Sequence, residues 1–149
     1  MDGDVIGINT AIISPSGASS GIGFAIPSNY ASTIIDQLIN YGETKRGWMG
    51  VRIQQVTKEM SKIAGLEEPT GAFIGGVSKN SPAEKGGIKE GDIILEFNSQ
   101  KIQTMRNLPK VVANTKPNKK VNVKVWREKK SIKLRLTLGR MESAKEFKK

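Results

Sequence analysis

The sequence predicts a mainly β protein with short helices, organised in two parts. Three observations carry this. Runs of Val and Ile, alternating or near-continuous, recur along the chain between Gly, Pro, Asn and Ser clusters. Apolar residues at helical spacing occupy only a few short stretches. The charge divides sharply: residues 1–44 hold no Lys or Arg and four acids, whereas residues 45–149 hold all 24 basic residues and ten acids. That break places a joint near Gly42–Gly47.

The first part opens on a strand over residues 4–13. A Ser/Gly-rich loop over 14–21 follows, then a short strand from Ile22 to Ile26, stopped by Pro27. A helix comes next, with Ser28 as its cap, Ala31, Ile34, Ile35, Leu38 and Ile39 on one face, and Gly42 at its end. One helix face and two strands bury too little to make a core, so this piece needs a partner surface.

The second part is better furnished. Val51–Val56 is a strand, and Thr57 caps a short helix through Ala64. Ala72–Val77 is a strand. Ser81-Pro82-Ala83-Glu84 is a capping box with Pro at the first helical position, starting a short helix that ends at Gly86-Gly87. Asp92–Phe97 is a strand. A helix spans 105–113, and Pro109 must lie in its first turn, so the regular part starts near Asn107. Val121, Val123 and Val125, then Ile132, Leu134, Leu136 and Leu138, alternate with polar residues and form a hairpin across Glu128-Lys129-Lys130. The tail from Met141 is charged and frays.

Composition excludes several chemistries. The 149 residues contain neither Cys nor His. Disulfides and thiolates are therefore out, and a Ser-His-Asp set cannot be assembled from this chain alone. No apolar run approaches the roughly 18 residues of a membrane span, and no leader pattern opens the chain. The net charge of +10 rests on 18 Lys against 6 Arg. This reads as a solvated surface rather than a nucleic-acid interface, which favours Arg and exposed aromatics. Glycines 17, 21 and 23 match no phosphate loop, since Ile26 stands where a dinucleotide pattern needs Gly. Glu67-Glu68 reads as a solvated turn. No metal or cofactor is expected.

Two stretches carry specific chemistry. In Arg46-Gly47-Trp48-Met49-Gly50-Val51-Arg52-Ile53, a glycine between apolar residues precedes a strand. A tight turn at Gly50 lets consecutive N–H groups meet an anion such as a carboxylate, and the strand edge can accept an extended peptide. The string from Asn80 to Ile94 sets a capped turn, a glycine exit, an apolar Ile88 and a Gly91-Asp92 turn into an apolar strand.

Ser81-Pro82-Ala83, Gly87-Ile88, Gly91-Asp92-Ile93-Ile94 and Asn98 resemble the core signature of a PDZ domain, in the permuted form of HtrA/DegP-type serine proteases. Arg46 to Val51 looks like that family's carboxylate-binding loop. Gly7 to Ile12 and Gly21 to Asn29 are similar to the last strands of its protease domain. Ser99 and Glu128-Lys129-Lys130 depart from the family by lacking a turn glycine.

The resemblance implies residues 1–45 as the end of a chymotrypsin-like protease barrel, a β-hairpin and helix. It implies residues 46–139 as a PDZ fold, a small partly open β-barrel with two main helices, and 140–149 as a tail. The catalytic residues are expected upstream of Met1, so this chain is expected to hold none, and Asn9, Thr10 and Ala11 are a remnant of the substrate-binding strand. The parent is implied to be a periplasmic quality-control protease.

The ligand's carboxylate would meet the N–H groups of Met49, Gly50 and Val51, flanked by Arg46, Trp48 and Arg52. Its backbone would pair with Val51–Ile53. Its last side chain would enter a pocket of Met49, Val51, Ile53, Leu108, Val111 and Val112. The expected partners are apolar C-termini or extended segments of unfolded proteins, the rest of the protease domain, and other subunits. An assembly groove for a neighbouring subunit is the main rival, and nucleic-acid binding the other.

Overall fold

The computed structural model describes residues 3–15, 17 and 21–141. The chain divides into two compact units, Met1–Thr44 and Lys45–Lys149. The charged tail over 142–149 and positions 16 and 18–20 of the Ser/Gly loop lie outside the described residues.

In the first unit, strands β1 (Gly7–Ile13) and β2 (Ile22–Pro27) form an antiparallel hairpin. The expected strand thus begins at Gly7 rather than Asp4. Its register shifts between Asn9 and Ala11, and the Thr10 hydroxyl donates to the Phe24 carbonyl at 3.2 Å. Helix α1 (Ser28–Tyr41) follows. Its cap position is Pro27, not Ser28, because Ser28 already has helical geometry and its N–H donates to the Ile6 carbonyl at 3.0 Å. Gly42 ends the helix in the left-handed conformation, with its N–H on the Leu38 carbonyl. Of the helix's apolar stripe, Ala31 is buried, whereas Ile39 is 76% exposed.

The second unit carries β3 (Gly47–Trp48), β4 (Val51–Gln55), α2 (Lys58–Ala64), β5 (Ala72–Val77), α3 (Pro82–Lys85), β6 (Ile93–Phe97), β7 (Gln100–Lys101), α4 (Asn107–Ala113), β8 (Lys120–Arg127), β9 (Lys130–Thr137) and β10 (Gly139–Arg140). One six-stranded antiparallel sheet runs β4-β5-β6-β8-β9, with β7 paired to β6, and β3 pairs with β10. The sheets are open: β4 and β9 end the order, so no closed barrel forms.

The capping signals are used as chemistry requires. The Thr57 hydroxyl accepts the Met60 N–H, and Ser81 Oγ accepts the Glu84 N–H. Glu84 Oε2 accepts the N–H of Asn80, one residue before the cap, at 2.6 Å, while the Ser81 N–H donates to the Ser78 carbonyl, so only the Ser81 half of the expected capping box is made. Glu128 and Lys129 both take positive φ, the conformation of a two-residue hairpin turn, without a glycine. The β8–β9 register runs from Lys120 opposite Thr137 to Arg127 opposite Lys130.

The core comprises Ile74, Ile94, Phe97, Val121, Val123, Val125, Leu138 and their neighbours, with β8 supplying its three alternate valines. At its rim Asp92, 1% exposed, accepts two hydrogen bonds from Arg127 at 2.7 and 2.8 Å and one from the Lys89 N–H. Arg127 also donates to the Gly87 carbonyl. This cross-link fixes the turn that feeds β6. The Asp92 hydrogen bond raises the Arg127 pKa above its ordinary value, against a smaller opposing effect of burial.

Candidate functional site

The site is built on the edge strand β4 and the two residues before it. Strand β3 delivers the chain to Met49 and Gly50. Gly47 is required there by close approach, because a Cβ would stand 2.5 Å from the carbonyl oxygens of Val112 and Thr115. The C-terminal end of α4 therefore lies directly against β3.

Gly50 has φ +81, and a Cβ would stand 2.4 Å from Ser81 Cβ. The turn is pinned from the α3 side. The Ala83 N–H donates to the Met49 carbonyl, and the Ser78 N–H to the Gly50 carbonyl, both at 2.9 Å. The N–H groups of Met49 and Gly50 enter no backbone hydrogen bond among the described residues. Two adjacent donors on these buried residues thus have no backbone partner at the start of an open strand edge.

The apolar residues converge. Met49, Leu108 and Val112 belong to the buried core, at 2, 2 and 8% exposure, and Val51, Ile53 and Val111 pack half-buried against it. Arg46, Trp48 and Arg52 are exposed. The Arg46 carbonyl accepts the Met141 N–H, and the Arg52 guanidinium lies against Gly76 of β5. Asn9, Thr10 and Ala11 lie exposed on β1 in the first unit.

Ser78, Ala83 and Gly47 were not among the expected site residues. The carbonyl-pinning role of Ser78 and Ala83 is made by backbone groups, which leave no mark in a sequence. Gly47 stood inside the motif, but its reason, the approach of α4, is tertiary. Among the described residues no cluster of His, Cys, Asp or Glu could hold a metal, and no helix is long and apolar enough to cross a membrane.

Comparisons with known proteins bear on the family and the fold. The PDZ domain family matches residues 47–138. A protein of Brucella suis biovar 1 (strain 1330) named "Probable periplasmic serine endoprotease DegP-like" is 46% identical over 145 residues, covering 97% of this chain and 28% of the relative. The namesake of Rhizobium meliloti (strain 1021) is 44% identical, covering 98% of this chain and 29% of its own length. The solved structure of the HtrA-type protease AlgW with a tripeptide superposes with a TM-score of 0.87 at 38% identity, covering 96% of this chain and 48% of the other. This chain spans under a third of the curated relatives' length. The family match over residues 47–138, more than half of the chain, shows that it belongs to the PDZ domain family.

Proposed function

We propose that residues 46–139 are the peptide-binding module of a periplasmic HtrA/DegP-type serine endoprotease. It reads apolar C-termini or extended segments of unfolded proteins for protein quality control. The observation that carries this is the pair of unengaged N–H groups at Met49 and Gly50, next to the open edge of β4. A terminal carboxylate bound there makes charge-assisted hydrogen bonds, and the peptide backbone continues the sheet from Val51 to Ile53. Val51, Ile53 and Val111 form the walls for the last side chain, over a floor of Met49, Leu108 and Val112. AlgW has been solved with a tripeptide and with a decapeptide, which supports a peptide ligand for this relative's fold.

Residues 1–44 are, on this reading, the last hairpin and helix of the protease domain. The exposed Ile8, Ile12, Phe24, Ile26, Leu38 and Ile39 are the surface its remainder covers. Asn9, Thr10 and Ala11 belong to that domain's substrate-binding strand. Catalysis belongs to the parent protein, since this chain supplies no His.

Amide chemical-shift mapping tests the module's role. A short peptide with a free carboxylate and an apolar last residue should move the amides of Met49, Gly50 and Val51 most, then those of α4. Shifts confined to other surfaces would refute the assignment.

A further inference from the structure

At the other end of the main sheet, a cleft of about 510 Å³ opens between α3 and strands β8 and β9. Lys85, Lys120 and Arg135 line it over an apolar floor of Pro82, Leu136 and Leu138, and none of its lining residues is acidic or aromatic. The nearby Glu84 carboxylate is committed to the Asn80 N–H. Among the described residues no ion pair engages the three cations, and the Arg135 Nε–H donates only to the neutral Asn122 side chain, at 3.3 Å. Unbalanced positive charge continues along the hairpin's outer face, where Lys124 stands directly opposite Lys133. Like charges in that relation destabilise a sheet. Glu96, opposite Lys124 on the β6 side, offsets only that lysine.

Strand β9, which lines the cleft through Arg135, Leu136 and Thr137 and meets the turn after α3 at Leu136, also has one side with no backbone pairing among the described residues. Strand β9 ends the sheet order, and among the described residues no element besides β8 makes a backbone hydrogen bond to residues 130–137. We propose that this is a second binding site, for an acidic segment of polypeptide in extended conformation. The segment pairs with the free edge of β9. Its alternate side chains fall beside Arg135, and its carboxylates reach Lys85 and Lys120. An extended peptide satisfies both the open edge and the charge. A single-stranded nucleic acid would leave the edge unpaired and finds no aromatic ring in the cleft on which to stack. The site is separate from the β4 edge and does not depend on the function proposed for it.

The test is a titration of the full chain with a short oligoglutamate peptide blocked at both ends, so that no free carboxylate terminus is present. An oligoglutamine peptide of equal length serves as control. The acidic peptide should bind at least about tenfold more tightly than the control, and its affinity should fall as salt is raised. Lys85→Glu combined with Arg135→Glu, both exposed positions, should reduce that affinity at least about tenfold, while circular dichroism and binding of an apolar-ended peptide stay unchanged. Equal binding of the two blocked peptides, or an unaffected double variant, would overturn the proposal. So would displacement of oligoglutamate by a single-stranded oligonucleotide of equal charge at equal affinity, which would mark a general polyanion surface.

Discussion

The Ala83 N–H donates to the Met49 carbonyl at 2.9 Å and so fastens helix α3 to the turn ahead of the edge strand. With the Ser78 N–H on the Gly50 carbonyl, both carbonyls of the turn are engaged within the fold. The N–H groups of Met49 and Gly50 enter no backbone hydrogen bond among the described residues, and these are the donors proposed to meet a ligand's carboxylate. The capped α3 is thus the support on which the proposed carboxylate site is built.

Gly50 should resist substitution for reasons of stability as well as binding. Its φ of +81 disfavours any L side chain, and the Cβ would overlap Ser81, which is fully buried. Gly50→Ala should cost at least about 2 kcal/mol, combining backbone strain with overpacking, and Gly50→Val more. Urea denaturation of the variants measures this. Gly50→Ala as stable as the parent would show that the turn is not held as described.

Floor and wall residues should separate. Leu108 is 2% exposed, so Leu108→Ala should cost about 2–5 kcal/mol of stability. Val111 is only half-buried. Val111→Ala should cost little stability but weaken an apolar-ended peptide about fivefold to tenfold, the worth of roughly one lost side-chain contact. Paired denaturation and calorimetric titration would check both halves. Equal stability losses would place Val111 in the floor.

The Asp92–Arg127 pair should be structural. Arg127→Met leaves the Asp92 carboxylate buried with only the Lys89 N–H, at a cost of about 3–5 kcal/mol. The Arg127 pKa is raised on folding, so its stabilisation is fully present below the ordinary arginine range. It is lost only as pH rises through the still higher folded value. Mild alkali should therefore leave the pair intact. A stability drop between neutral and moderately alkaline pH that vanishes in Arg127→Met would contradict this.

Deleting residues 1–44 should leave the thermal transition of the remainder nearly unchanged. Every member of the main core cluster lies between Met49 and Leu138. The deletion should also raise solubility, because it removes the exposed apolar side chains of the hairpin and α1. Calorimetry and a solubility measurement decide this, and a fall in midpoint beyond roughly 10 °C would exceed several kcal/mol and show that the first unit is integral.

What could be read from the sequence follows the length of its signals. The alternation Val121, Val123, Val125 and the Ser81–Glu84 pattern each announce an element within a few residues, and both elements form, although Glu84 accepts the Asn80 N–H where a full capping box would have it accept that of Ser81. Pro109 correctly moved the start of α4 to Asn107. Strands β3, β7 and β10 were not legible, since two residues cannot show a period. The Arg127–Asp92 cross-link joins residues 35 positions apart and has no local pattern. Ser28 was misread as a cap because Pro27, which has no side-chain acceptor, can still hold the extended cap conformation. Of the site, Gly50 was legible as a turn. That Leu108 and Val112 are buried while Val111 stays half-buried was not, because helical spacing alone does not grade burial along one face.

The most direct test of terminus reading is a paired calorimetric titration with one peptide sequence, ending in an apolar residue, as the free acid and as the C-terminal amide. Amidation removes the charge that the proposed donors, the Met49 and Gly50 N–H groups, would meet, so the acid should bind at least about tenfold more tightly, or roughly 1.4 kcal/mol. Equal affinity of acid and amide would contradict the account and leave the β4 edge as a reader of internal segments or as no ligand site.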